Sequence, residues 1–271
     1  MMNETFTLAN NIKIPKIGFG TWMIKNEDAA KNVQDAIQVG YRHIDTAEAY
    51  QNEQGVGEGI HASGINRQEI FVTTKLAAEI KNYQEAISAI DQSLKNLNLD
   101  YIDMMIIHSP KPWEEFQGKN HYFEGNLEAW HALEKAYQDG KLRTIGVSNF
   151  EIVDLENILK NGHIKPMVNQ ILVHIGHTPM ELIEFSQKNH ILVEAYSPIA
   201  HGEMIHDKTI LAIADKYNVT IPQLAVRYCL QLGLLPLPKT ENIEHMKNNK
   251  NVDFVISNDD MMKLKKIDHF D

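Results

Sequence analysis

Short apolar runs alternate along this chain with longer stretches in which apolar residues recur every three or four positions. The runs are Ile17–Phe19, His43–Asp45, Ile70–Lys75, Ile102–His108, Thr144–Ser148, Met167–Gln170, Ile191–Tyr196 and Leu234–Leu237. They are mostly continuous in hydrophobicity, not alternating, which is the pattern of strands buried on both faces of a parallel sheet. Eight such strands is the number that closes a barrel. Between them, Tyr83, Ile87, Ile90, Leu94 and Leu97 fall on one helical face, as do Leu127, Trp130, Leu133 and Tyr137. Thr220 and Gln223 have the spacing of a capping box, with Pro222 tolerated in the first turn. Gly140 marks the end of the Trp130 helix. Ahead of the alternation, Phe6–Pro15 carries Asn10-Asn11 between apolar residues and predicts a β-hairpin with positive φ at its turn. A last helix is expected over Ser257–Ile267. The fold class is therefore α/β: a (β/α)8 TIM barrel with an N-terminal β-hairpin and a C-terminal extra helix. No Gly/Pro/Ser-rich linker divides the sequence, so residues 1–271 read as one domain.

Composition narrows the class. A length of 271 residues is usual for a barrel, and 43% hydrophobic residues can fill a large core. The formal charge of −10 argues against nucleic-acid binding, which needs a basic surface. Any anionic ligand must then be held by local positive charge. The single cysteine, Cys229, lies in an apolar helical run and is expected to be a buried thiol. With no disulfide framework in the chain, a reducing, cytoplasmic setting is expected. No signal peptide is legible at the N-terminus, and no apolar run approaches the length of a membrane span. A monomer is expected, since no exposed apolar stripe calls for a partner.

Three strands each deliver a titratable residue at the C-terminal end: Asp45, Lys75 and His108. Tyr50 follows Asp45 in the next loop. The C-terminal rim is where barrels of this kind build their sites. A phenol is a poor acid near neutral pH, with an ordinary pKa of about 10, so a nearby cation such as Lys75 is expected to lower it. Singly, each of these residues is more often structural: an acceptor, a solvated cation or a core imidazole. Their grouping reverses that reading. The irregular stretch Ser109–Gly125 leaves the same rim, carries four aromatic residues and is expected to form a pocket wall.

A set of ordered motifs strengthens the case. Gly18-Phe19-Gly20-Thr21-Trp22, Asp45 with Tyr50, Asn52-Glu53, Thr73-Thr74-Lys75, Leu99-Asp100-Tyr101-Ile102-Asp103, Gly146-Val147-Ser148-Asn149-Phe150, Ala195-Tyr196-Ser197-Pro198 and Pro238-Lys239 follow one another here. In that order they resemble the aldo-keto reductases over nearly the whole chain, and within them the microbial branch of diketogluconate and methylglyoxal reductases. The resemblance implies NAD(P)H-dependent reduction of small aldehydes, α-dicarbonyls or keto sugars, with hydride passing from the nicotinamide to the carbonyl carbon. It implies catalytic roles for Asp45, Tyr50, Lys75 and His108: Tyr50 as proton donor, Lys75 beside the phenol, Asp45 holding Lys75, and His108 orienting the carbonyl oxygen. The cofactor implied is NADPH, with NADH as a second candidate, and no metal. By the same matching, Thr21, Ser148, Asn149 and Gln170 lie near the nicotinamide, and Tyr196 stacks on it. Ser197, Ile199 and the stretch His201–His206 lie near the pyrophosphate. Lys239 and Thr240 approach the 2′-phosphate, His245 stands nearby, and Asn249 meets the adenine. Trp22, Ser109 and Trp113 line the substrate pocket.

The chain departs from the family pattern in places. His245 stands where relatives that prefer NADPH carry an Arg, and Glu241 adds an acid nearby. A guanidinium clamps a phosphate with two hydrogen bonds, whereas an imidazole offers one partly charged donor. Weaker discrimination for NADPH is expected. Ser109 stands where relatives often carry Trp, and the sequence ends soon after the Ser257–Ile267 helix. Both predict an open pocket. Two other functions remain compatible with the sequence: a non-catalytic NADPH-sensing subunit on the same fold, and an isomerase or aldolase in which Lys75 forms a Schiff base.

Overall fold

The structure is a computed structural model, of which residues 4–270 are described. Two short strands, β1 (Thr5–Thr7) and β2 (Lys13–Pro15), pair antiparallel as the expected hairpin. Asn11 sits at its turn with φ 66°, the left-handed conformation that Asn tolerates. The hairpin lends Leu8 and Ile14 to the main apolar cluster. The amide of Asn10 donates to the Arg143 carbonyl at 3.0 Å and ties the turn to the start of a barrel strand.

The barrel consists of β3 (Phe19–Gly20), β4 (His43–Asp45), β5 (Phe71–Leu76), β6 (Ile102–Ile107), β7 (Leu142–Ser148), β8 (Val168–Leu172), β9 (Leu192–Tyr196) and β10 (Leu235–Leu237). Each strand is parallel to the next in sequence. The ring is closed by backbone bonds from Gly18 N–H to Pro236 O (3.1 Å) and from Gly20 N–H to Pro238 O (3.2 Å). These eight strands are the eight apolar runs, shifted by a residue or two at their ends.

Helices connect the strands, among them Asn26–Val39, Glu53–Ala62, Tyr83–Leu97, Phe123–Gln138, Ile152–Asn161, Ile221–Gln231 and Ile243–Lys250. The Tyr83 helix contains all five residues of the predicted apolar face, and its cap Asn82 accepts two first-turn N–H groups. Thr220 and Gln223 form the capping box read from their spacing. The extra helix runs over Asn258–Lys265 with Ser257 as its cap. The Glu53 helix packs closely because it carries glycines. A Cβ on Gly57 would stand 2.2 Å from the Leu97 carbonyl oxygen, and one on Gly55 would stand 2.2 Å from that of Asn26. That approach fixes the short loop ahead of the helix, where Tyr50 lies.

Apolar residues fill the space between strands and helices, with Trp130, Phe19 and Ile90 fully buried. Cys229 is buried, and its surroundings push the thiol up to about 12. Among the described residues, no helix is long and apolar enough to cross a membrane.

Candidate active site

Asp45 and Lys75 belong to adjacent parallel strands, β4 and β5, paired so that Asp45 faces Thr73. Lys75 therefore sits two residues further toward the rim. Its side chain is 0% exposed, and burial of a bare ammonium is strongly unfavourable. Four oxygens meet it: Asp45 Oδ1 at 2.7 Å, Asp45 Oδ2 at 2.9 Å, the Thr46 carbonyl at 2.9 Å and Tyr50 Oη at 3.2 Å. Burial by itself would lower the lysine pKa, but the Asp45 carboxylate and the Tyr50 phenol outweigh it and hold the amine protonated.

Tyr50 ends a single 3-10 turn, Glu48–Tyr50. Asn52 pins the loop around it: its Oδ1 accepts from the Thr46 hydroxyl at 2.6 Å, and its amide donates to the carbonyls of Thr21 and Ile24. The net effect on the phenol differs from the sequence expectation. Lys75 does pull the Tyr50 pKa down, yet burial pushes it up more strongly, Asp45 adds to the rise, and the balance lies above the ordinary value. The resting phenol is thus firmly protonated.

His108 follows β6 directly. Its ring meets the Tyr50 ring edge-on at 5.7 Å, and Trp113 packs against its other side at 5.0 Å. Burial and the Lys75 charge hold this imidazole well below its ordinary pKa, so it is neutral. Its Nδ1 is buried without a hydrogen-bond partner.

The residues matched to the nicotinamide join this cluster through an unbroken chain of hydrogen bonds. Tyr196 Oη donates to Asn149 Oδ1 at 2.9 Å, and Asn149 Nδ2 reaches the His108 carbonyl at 3.0 Å and Ser148 Oγ at 3.2 Å. Ser148 Oγ donates to the Gln170 carbonyl at 2.8 Å, and Gln170 Nε2 donates to Asp45 Oδ2 at 3.1 Å. Asn149 holds this position with φ 60°, a left-handed conformation. Burial pushes the Tyr196 phenol up to about 12.

The remaining candidates surround this chain. The buried Thr21 hydroxyl donates to the Asp45 carbonyl at 3.0 Å. Ile199 begins a kinked 3-10 segment, Ala200–His206, and Ser197 Oγ lies 3.3 Å from His201 Nε2. That segment reaches across the rim: the His201 ring stands 5.3 Å from Trp22, whose indole is exposed. Ser109 is fully buried and accepts the Lys111 N–H through its hydroxyl at 3.2 Å. Trp113 remains exposed over His108. The stretch after His108 is less irregular than expected, with a 3-10 turn at Trp113–Glu115 and a helix that starts at Phe123.

Lys239, Thr240, His245 and Asn249 lie after β10. Lys239 Nζ is paired with Glu241 at 2.8 Å. Thr240 Oγ1 accepts the Asn242 N–H, and Asn242 caps the Ile243–Lys250 helix by accepting from Glu244 and His245. His245 is exposed and Asn249 is buried.

One buried acid went unread in the sequence. Glu194 lies inside β9, two residues before Tyr196, and accepts from Gln170 Nε2 at 2.8 Å. Burial, reinforced by the charge of Asp45, raises its carboxyl to about 8. His43 Nε2 lies 3.9 Å away, and burial lowers that ring to about 3. The available signal was the even spacing from Tyr196, which puts both side chains on one face of the strand.

The sequence model of the Aldo/keto reductase family matches residues 16–269. The glyoxal reductase of Bacillus subtilis is 39% identical over 265 residues, which span 97% of this chain and 92% of that protein. The methylglyoxal reductase DkgA of Escherichia coli K12 is 35% identical over 272 residues, 99% of this chain and 95% of its own length. Among solved structures, the aldo-keto reductase of Bombyx mori in complex with NADP superposes with a TM-score of 0.88 at 33% identity, covering 97% of this chain and 91% of that one. Barrel, rim and sequence agree: this chain belongs to the aldo/keto reductase family of oxidoreductases.

Proposed function

We propose that this protein reduces small aldehydes, α-dicarbonyls and keto sugars to alcohols with a nicotinamide cofactor, NADPH first and NADH second, and that Tyr50 is the proton donor. The observation that carries the proposal is the Lys75 ammonium, held by Asp45 and hydrogen-bonded to Tyr50 at 3.2 Å. The proposal treats residues 1–271 as one domain whose site is complete within one chain.

The donor set suits a primary carboxamide beside an aromatic ring. Ser148 ends β7, Asn149 follows it and Gln170 lies beside Ser148 within β8, so a hydroxyl and two amides come together, and Tyr196 ends β9. These residues would hold the nicotinamide, and Lys239 and Thr240 the adenosine phosphate. The bound cofactor supplies the hydride.

The chain's own groups manage the oxygen. As a carbonyl is reduced, negative charge builds on its oxygen and must be met by a proton or a hydrogen bond. Tyr50, protonated at rest, donates from Oη. The phenolate so formed is stabilised by an ammonium already in hydrogen-bond contact. Asp45 keeps that ammonium in place and charged. Neutral His108, beside Tyr50, has one ring N–H to offer the same oxygen.

Both alternatives fare worse. A cofactor-sensing subunit has no need of a buried Lys–Asp pair aimed at a phenol. A Schiff-base enzyme needs a free amine, and Lys75 is surrounded by four oxygens that favour its protonated form. The test is loss of NADPH absorbance when methylglyoxal is added to the purified protein, followed by a panel of aldehydes, ketones and sugar acids with both cofactors. Turnover of α-dicarbonyls supports the proposal. Cofactor binding with no turnover of any carbonyl supports the sensing subunit instead.

A further inference from the structure

We propose that His131, Glu134 and His163 form a binding site for a divalent transition-metal ion of the zinc type, on the outer helical layer and apart from the catalytic rim. His131 and Glu134 stand one turn apart on the Phe123–Gln138 helix, and His163 follows the Ile152–Asn161 helix. Both imidazoles turn Nδ1 toward the same carboxylate oxygen: His131 at 2.8 Å and His163 at 3.3 Å from Glu134 Oε2. The three donor atoms lie within 4.8 Å of one another. Zinc bound tetrahedrally at about 2.0–2.1 Å separates its ligand atoms by roughly 3.3 Å, so small side-chain shifts suffice.

The site is built, not a chance meeting of surface groups. Glu134 is only 4% exposed. Its other oxygen, Oε1, accepts the backbone N–H groups of His163 and Ile164 at 2.7 Å and 2.6 Å, which leaves Oε2 aimed at the two rings. Hydrogen bonds of this kind orient ligating carboxylates in metal sites. The loop carrying His163 is held independently, because Trp130 Nε1 donates to the Ile164 carbonyl at 3.0 Å. Gly162 permits that closeness, since a Cβ there would stand 2.8 Å from Trp130 Nε1.

Two imidazoles and one carboxylate suit zinc far better than magnesium or calcium, which favour oxygen ligands. His163 is exposed, so the fourth position faces solvent and takes water. A second group, His121, Glu151 and Asp154, serves as the internal control. There Asp154 is engaged by the Glu151 N–H in a helix cap, and Glu151 is exposed.

The experiment is titration of chelator-treated full-length protein with Zn2+, followed by calorimetry, and with Co2+, followed by visible absorption. His163→Ala is the informative variant, because Glu134 keeps its backbone bonds when that exposed ring is removed. The proposal predicts one equivalent of Zn2+ bound by the wild type and affinity more than about tenfold weaker in His131→Ala and His163→Ala. His121→Ala binds as the wild type does. Zn2+ raises the thermal midpoint of the wild type but not of His163→Ala, and Mg2+ raises neither. Failure of the wild type to bind stoichiometrically, or unchanged affinity in His163→Ala, overturns the assignment.

Discussion

Lys75 Nζ lies 3.2 Å from the Tyr50 hydroxyl, the longest of its four polar contacts, and closer to both oxygens of Asp45. The ammonium is therefore satisfied mainly by its carboxylate and only secondarily by the phenol. Burial is the main reason that Tyr50 rests protonated, and this ordering adds to it. The positive charge beside it is partly offset by Asp45, and burial decides the direction of the shift.

A pH profile follows from this balance. In the proposed mechanism the working form has Tyr50 protonated and His108 neutral. The Tyr50 pKa lies above its ordinary value of 10.0, and that of His108 lies well below 6.5. Since kcat/KM reports groups of the free enzyme, it should stay level from about pH 6.5 to about 9. The profile is best measured in both the wild type and Glu194→Gln, so that the buried acid is not mistaken for the phenol. A limb with its midpoint near neutrality in both proteins contradicts the assignment.

Glu194 makes a separate prediction about stability. Its carboxyl titrates near 8 in the folded chain against an ordinary 4.5. Between those values the folded state keeps a proton that the unfolded state releases, so stability falls as pH rises through this window. At pH 7 the loss is on the order of 2–4 kcal/mol. Glu194→Gln keeps the shape and removes the titration. Its thermal midpoint should gain on that of the wild type as pH rises from about 5 to about 8. A constant difference across that range shows that the acid is not held protonated.

Cofactor choice should be loose. Lys239 is already paired with Glu241, and His245 is exposed at the start of its helix. The NADPH to NADH preference in kcat/KM is expected to stay below about a thousandfold, roughly 4 kcal/mol. His245→Arg, by adding a two-pronged phosphate donor, should increase it at least about tenfold. Steady-state titrations with both cofactors check each figure, and a wild-type preference beyond a thousandfold shows that Lys239 suffices alone.

Much of this was legible in the sequence, for physical reasons that differ by residue. The strands could be read because burial on both faces makes a run such as Ile102–Ile107 apolar throughout. The rim residues could be read because three strand ends each carry a titratable group, Asp45, Lys75 and His108, and Tyr50 follows the first, a grouping that separate structural roles do not explain. Glu194 was hidden by the same logic: inside an apolar run it looked like part of the strand. Its even spacing from Tyr196 was the one hint, and its partners in space, Gln170 and His43, mark it as an interior group. The direction of the Tyr50 shift was also out of reach. It depends on how far burial outweighs a nearby charge, and spacing does not carry that quantity. Ser109 reads as opening the pocket, yet its hydroxyl turns inward to Lys111, and the exposed indole near His108 is that of Trp113.

The central claim is that Tyr50 donates the proton, and replacement by Phe tests it most directly because the ring is kept while the hydroxyl is lost. In steady-state reduction of methylglyoxal, Tyr50→Phe should lose more than about tenfold in kcat, at least about 1.4 kcal/mol. Cofactor affinity, measured by fluorescence titration, should remain nearly unchanged. A variant that keeps more than a tenth of the wild-type kcat contradicts the account.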